Sequence, residues 1–223
     1  QIESELEALY STPAGKNTIV IVLADHGDGM GSHRMVTKQV SFYEEMTNVP
    51  FIIAGPGIHP RQKPVEDLLT QPTIDLLPTL CELAGIPVPS SKPGISLAPF
   101  LKGEKQKRQH PYAASEWHSE YEVTVSPGRM IRSPRYKYTH YLEGNGEELY
   151  DMLKDKGERR NLAHDPKYSK ILAEHRALLD DYIRRTQDDY RSLKVEADKR
   201  WRSHAPGYPN HEGPCARDII NRK

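Results

Sequence analysis

The sequence predicts an α/β fold that ends in a small antiparallel subdomain. Three observations carry this. Two unbroken apolar runs, Thr18 to Ala24 and Val49 to Ala54, alternate with helical patterns; a proline- and lysine-rich stretch follows; then four short extended runs precede one long amphipathic pattern. The 223 residues suffice for one large domain or two small ones. We place the division at a boundary giving residues 1–109 as part of an α/β core and 110–223 as a small α+β subdomain with an irregular tail.

The elements follow in order. Ile2, Leu6, Leu9 and Tyr10 share one helical face, and Pro13 and Gly15 stop that pattern. The run from Thr18 to Ala24 is continuous and β-branched, as expected of a central parallel strand covered on both faces. Val49 to Ala54 is a second strand, closed by Gly55-Pro56-Gly57, with Pro50 near its start where a sheet tolerates it. Residues 72–84 read as a helix: Thr70 or Gln71 precedes Pro72, the apolar face is Ile74, Leu77, Leu80, Cys81, Leu83 and Ala84, and Gly85 stands at the C-cap. Pro78 should kink that helix or begin a new first turn. Strand, helix, strand, helix argues a parallel layer.

From Pro87 to Gln109 the chain is rich in proline, serine and lysine, and there we set the boundary. Beyond it, Tyr112 to Trp117, Arg129 to Ser133, Tyr136 to Leu142 and Glu148 to Met152 are extended runs separated by Ser133-Pro134 and Gly144-Asn145-Gly146. They predict a small antiparallel sheet. Asp165-Pro166 opens the best helix, whose stripe of Ile171, Leu172, Leu178, Leu179, Tyr182 and Ile183 should pack on that sheet. Arg200 to Lys223 looks irregular.

Composition excludes several classes. With 15 glycines, 18 prolines and no triplet period, the chain is neither collagen-like nor wholly disordered. Basic and acidic residues balance at 31 each, and no basic half offers itself to nucleic acid or to a membrane surface. The longest aliphatic run, Ile19 to Ala24, is far short of the ~20 residues of a membrane helix, so a soluble chain is expected. The first ten residues lack the basic flank and apolar centre of a secretory signal, and they fit a mature or a cut end equally. Cys81 and Cys215 read as free thiols, which leaves the compartment undetermined.

One loop has the makings of chemistry. Asp25 and His26 leave the carboxyl end of the first strand, where open α/β sheets expose ligand sites. Gly27, Gly29 and Gly31 let the backbone turn so that both side chains can reach one ion. Aspartate offers the hard oxygen that Ca²⁺ or Mg²⁺ requires, while histidine serves as ligand or as donor to an oxyanion. One carboxylate cannot hold the cation alone, so further ligands must come from elsewhere. His33 and Lys38 follow, both able to donate to an anion. Each residue alone also has an ordinary reading, the capped turn for Asp-His and the solvated cation for lysine.

Taken together, the blocks Asn17 to His33, Lys38, Phe42-Tyr43-Glu44-Glu45, Val49 to Gly57, Thr73 to Thr79 with Ala84-Gly85, Met130 to Tyr138, Glu148 to Asp151, Glu158 and Asn161 to Ala163 resemble the second half of type I sulfatases of the alkaline phosphatase superfamily. The resemblance spans about residues 1–190. It implies the C-terminal part of an alkaline-phosphatase-like α/β sandwich, followed by a small antiparallel sheet subdomain with a packed helix. It also implies Ca²⁺, in preference to Mg²⁺, at Asp25 and His26, and a lysine at Lys38 that contacts sulfate and the bridging oxygen. His33 matches a histidine near the substrate. The partner implied is a sulfated small molecule or glycan, and the location periplasmic, secreted or lysosomal.

The departures matter as much. The Cys/Ser-x-Pro-x-Arg motif, oxidised in the family to the formylglycine nucleophile, is absent: Cys81 is followed by Glu82-Leu83-Ala84-Gly85 and Cys215 by Ala216-Arg217-Asp218-Ile219. The metal-binding Asp pair is missing too, since Asp180-Asp181 and Asp188-Asp189 read as solvated charge. We therefore expect these residues to be the C-terminal portion of a longer enzyme, inactive and aggregation-prone without its N-terminal part. Asp155-Lys156-Gly157-Glu158 stands where the family commonly has Asp-Pro-x-Glu. Glu116 to Tyr121 lies where the small domain would approach substrate, so Trp117 could take a sugar ring with His118 beside it; an ordinary surface loop is the alternative. A phosphodiesterase or phosphonate monoester hydrolase of the same superfamily, and a non-catalytic glycan-binding module, are the competing functions.

Overall fold

The structure, a computed structural model, describes residues 1–35, 41–66, 68–90, 93–106, 109–117, 127–142 and 146–193. Its helices and strands, in chain order, are α1 (Ile2–Tyr10), β1 (Val20–Leu23), α2 (Glu44–Thr47), β2 (Phe51–Ala54), α3 (Pro72–Leu83), α4 (Ala98–Leu101), β3 (Ala113–Trp117), β4 (Gly128–Arg132), β5 (Tyr136–Tyr141), β6 (Gly146–Asp151) and α5 (Ser169–Thr186). They form two compact units: Gln1–His26 with Val49–Pro111, and Gly27–Asn48 with the chain from Tyr112 onward. The tail from Arg200, including Cys215, lies outside the described residues. Among the described residues no helix is long and apolar enough to cross a membrane.

In the first unit the expected parallel strand is corrected. β1 and β2 pair antiparallel, Val20 opposite Ala54 and Leu23 opposite Phe51. An apolar run reports how far a strand is covered, not its direction. Among the described residues, the link between the strands carries α2 and a 3-10 turn at Ser32–Arg34 and no crossover helix. Among the described residues, cover on both faces is not met either: Leu23 is 40% and Ile52 57% exposed.

α3 runs unbroken through Pro78. The missing N–H of Pro78 leaves the Ile74 carbonyl without its helical donor, and Gly94 approaches that carbonyl so closely that a Cβ there would lie 2.1 Å from it. The helix ends as its sequence foretold: Gly85 takes φ +70 and the Ile86 N–H bonds to the Cys81 carbonyl at 2.9 Å. Cys81 is a buried free thiol.

The first unit also holds a fully buried carboxylate. Asp75 Oδ2 accepts from the Gln71 N–H at 2.8 Å, while Oδ1 accepts from the Ile95 N–H at 2.8 Å and from His110 Nε2 at 2.7 Å. One turn on, Thr79 Oγ1 donates to the Asp75 carbonyl and accepts from the Leu97 N–H. These bonds tie α3 to the segment leading into α4.

In the second unit β3, β4, β5 and β6 form a four-stranded antiparallel meander. Ala114, Ile131, Tyr138 and Leu149 lie opposite one another in register on one face, where they meet Leu172 and Leu179 of α5 in the main core. The opposite face carries Lys137 and Tyr150 as cross-strand partners, and Tyr150 with Met152 packs against Met35, Tyr43 and Met46. The sheet is therefore covered by α5 on one side and by Met35, Tyr43 and Met46 on the other. α5 is preceded by a 3-10 turn at Pro166–Tyr168, and the Asp165 side chain caps it by accepting from the Lys167 N–H at 3.1 Å.

Candidate functional site

Asp25 and His26 lie two and three residues past Leu23, the last position of β1. Asp25 Oδ1 accepts from the His26 N–H at 3.0 Å, and His26 Nε2 lies 3.6 Å from Asp25 Oδ2. The Asp25 carboxylate is 88% exposed and the imidazole 40%. The exposed carboxylate offers the oxygen that a hard divalent cation takes, and the imidazole beside it is a softer nitrogen donor. Ca²⁺ takes about six to eight oxygen-rich ligands, and among the described residues no group of three or more His, Cys, Asp or Glu could hold an ion. The remaining ligands must come from other residues.

Glycine is compulsory at the next position. The Gly27 N–H donates to the Met46 carbonyl at 2.9 Å, and a Cβ there would stand 1.8 Å from the Glu45 carbonyl oxygen. From Met30 the backbone becomes strained: Met30, His33 and Arg34 all take positive φ, at 45°, 49° and 62°, with Gly31 at 97°. Non-glycine residues in that region cost roughly 1–2 kcal/mol each. Short backbone bonds from Gly31 N to Met35 O and from Ser32 N to Gly29 O hold the turn, both 2.7 Å.

That turn sets His33 face to face on the Tyr43 ring, with centroids 3.7 Å apart and planes 1° from parallel. His33 Nε2 is 3.8 Å from Glu45 Oε2. Burial pushes the imidazole below its ordinary titration range, against the opposing pull of the Glu45 carboxylate. Free of anions, the ring is thus neutral at neutral pH and donates through a single N–H. A bound oxyanion would raise its proton affinity again.

Behind the stack lies a buried charge cluster that sequence reasoning missed. Lys137, 1% exposed on β5, donates to the Phe42 carbonyl at 2.9 Å and pairs with Glu44 Oε1 at 2.6 Å and Glu158 Oε1 at 2.9 Å. Glu158 Oε2 accepts from the Glu44 N–H at 2.7 Å. Burial pushes the Glu158 carboxyl up, with the Lys137 ammonium opposing. Arg132 adds a second cation 3.8 Å from Glu44 Oε1. The available signal was strand alternation in Tyr136 to His140, which puts Lys137 on the face opposite Tyr138.

Of the residues singled out in the sequence, Asp25 and His26 end the first unit and His33 belongs to the second. Lys38 and His118 lie outside the described residues. Trp117 ends β3, where its carbonyl accepts from Arg129 Nη1 at 2.9 Å.

Comparison with known proteins decides the family. The profile for the C-terminal part of N-sulphoglucosamine sulphohydrolase matches residues 31–185. The chain belongs to the sulfatases. This sulfatase chain is 76% identical, over all 223 residues, to the Delta 4,5-hexuronate-2-O-sulfatase of Bacteroides thetaiotaomicron, and it spans 46% of that protein's length. It superposes with a TM-score of 0.87 on the solved structure of a 2-O GAG sulfatase, again at 76% identity, covering 98% of this chain and 47% of that one. A phosphonate monoester hydrolase from Silicibacter pomeroyi matches at 26% identity and a TM-score of 0.72, with 86% of this chain and 40% of that chain covered. The sulfatase chain thus has the fold of the C-terminal part of an alkaline-phosphatase-like α/β sandwich, followed by a small antiparallel sheet with a packed helix.

Proposed function

We propose that the complete enzyme containing this chain hydrolyses sulfate esters of glycosaminoglycan sugars, with a 2-O-sulfated unsaturated hexuronate as the preferred substrate. The observation that carries this reading is the 76% identity, across the whole chain, to a relative named for that activity. In this reading Asp25 and His26 hold Ca²⁺ together with ligands from the rest of the enzyme. The ion supplies positive charge that offsets the sulfate. A formylglycine outside these 223 residues supplies the nucleophile.

The chain's own residues then orient the ester and stabilise its departing oxygen. Lys38 donates to a sulfate oxygen and to the bridging oxygen, so charge on the leaving alkoxide is met by an ammonium as the S–O bond breaks. His33, fixed on Tyr43, donates its one N–H to the same anion. His118, after β3, contributes a polar contact to the sugar. The phosphonate reading draws support from the Silicibacter structure.

The test uses the full-length enzyme, matured to carry formylglycine, on 2-O-sulfated unsaturated uronate disaccharides and on matched phosphate and phosphonate esters. Asp25→Ala, His33→Ala and Lys38→Ala should each lower kcat/KM by about 10²-fold or more, the usual cost of removing one stabiliser of developing charge. Unchanged turnover in all three would remove the assigned roles, and faster phosphonate than sulfate turnover would favour the second reading.

A further inference from the structure

We infer that Lys137 is a positioning residue for the substrate loop, acting through the Phe42–Glu45 turn to hold His33 in place. The inference rests on the sulfatase reading of His33, and it adds a device which that reading does not contain. Residues 42 to 45 alternate in what they touch. Phe42 and Glu44 face the Lys137 ammonium, at 2.9 Å from the carbonyl of one and 2.6 Å from the carboxylate of the other. Tyr43 and Glu45 face His33, one stacked at 3.7 Å and the other 3.8 Å from Nε2. Glu158 locks the same turn from a third direction by accepting from the Glu44 N–H.

Two of these contacts hold backbone groups of the turn, the Phe42 carbonyl and the Glu44 N–H, and the Glu44 carboxylate adds a side-chain tie to the same ammonium, so the two outward side chains inherit their positions from the buried cluster. The Tyr43 ring also leans on Tyr150, with centroids 6.4 Å apart, and Tyr150 is the cross-strand partner of Lys137. The ammonium and the aromatic floor are thus one patch of one sheet face. His33 itself sits at φ +49, a conformation that a loose loop would abandon. A rigid partner surface is what keeps such a residue in place.

The experiment compares wild type, Lys137→Met and the milder Glu44→Gln in the full-length enzyme, with ¹⁵N- and ¹³C-labelled histidine. The His33 resonance is assigned by its loss in His33→Gln. A ring stacked on tyrosine carries an upfield ring-current shift. Lys137→Met should move the His33 signals towards unstacked values and lower kcat/KM by about 10²-fold, the loss expected when a reacting group shifts by ~1 Å. Glu44→Gln should move both readouts the same way by a smaller amount, and it keeps the test alive if Lys137→Met does not fold. Unshifted His33 signals in a folded variant would overturn the inference, whether or not activity falls. The two readings fail separately: a fully active His33→Ala enzyme sinks the role of His33 in catalysis, while the resonance shifts still decide whether Lys137 positions that ring.

Discussion

Ile131, Tyr138 and Leu149 at the centre of the four-stranded sheet are at most 1% exposed, whereas β1 and β2 leave Leu23 40% and Ile52 57% open to solvent. The sheet of the second unit is covered on both faces by its own unit, by α5 and by Met35, Tyr43 and Met46. Among the described residues Leu23 and Ile52 of the β1–β2 pair stay exposed, and α1 buries none of its residues. Order in the first unit comes instead from polar bonds converging on Asp75. The contrast teaches that one unit is complete in its apolar core while the other is organised locally and awaits cover. Since the chain spans 46% of its Bacteroides relative, we expect the rest of the complete enzyme to lie against β1 and β2.

The sharpest way to break that comparison is a pair of truncations measured by urea unfolding. Leu149→Ala should cost about 2–5 kcal/mol in the 223-residue chain, because a buried leucine leaves both lost transfer energy and a cavity. Ile52→Ala should cost well under ~1 kcal/mol there and more in the complete enzyme, where its face is expected to be covered. Equal costs at the two sites in the short chain would contradict the contrast. Dye binding to exposed apolar surface should likewise be strong for the chain and weak for the complete enzyme.

A second prediction concerns the polar hub. Asp75→Ala removes, at a fully buried position, the carboxylate that accepts from the half-buried Gln71 and Ile95 amides and from His110. The expected loss is about 3 kcal/mol, since hydrogen bonds to a charged group are worth more than neutral ones and their donors would be left unmet. Hydrogen exchange should speed up at Gln71, Ile95 and Leu97 while the amides of β4 to β6 keep their protection. Uniform loss of protection across both sheets would show that the units do not hold themselves together by separate means.

What the sequence made legible were features written in local chemistry. Pro72 and Gly85 bracket α3, Asp165-Pro166 opens the 3-10 turn that runs into the last helix at Ser169, and the Asp25-His26 pair stands just past a strand, because caps and prolines act over three or four residues. Strand direction was not legible, since Val20 to Leu23 is equally apolar in either pairing. Nor was Lys137: a lysine between two tyrosines reads as solvent-facing until Met35, Tyr43 and Met46 are known to cover that side of the sheet. The stack of His33 on Tyr43 depends on positive φ at His33 and Arg34, which neither residue type announces.

The smallest predicted effect compares how the two main helices are capped. At the start of α3 the Gln71 side chain makes no cap, and the Gln71 N–H is met from within the helix by the buried Asp75. At the start of the 3-10 turn that leads into the last helix the half-buried Asp165 accepts from the Lys167 N–H and also pairs with the exposed Arg160 at 3.1 Å. Water can replace what Asp165 provides, whereas it cannot reach Asp75. Asp165→Ala should therefore cost about 1 kcal/mol, the ordinary worth of an N-cap, with little added by the surface ion pair. Adding salt should leave that value nearly unchanged in a thermal or urea titration, because a cap acts at hydrogen-bond distance and a surface pair is screened. A loss as large as that of Asp75→Ala, or one that vanishes in salt, would mean the last helix leans on Asp165 as a charge and not as a cap.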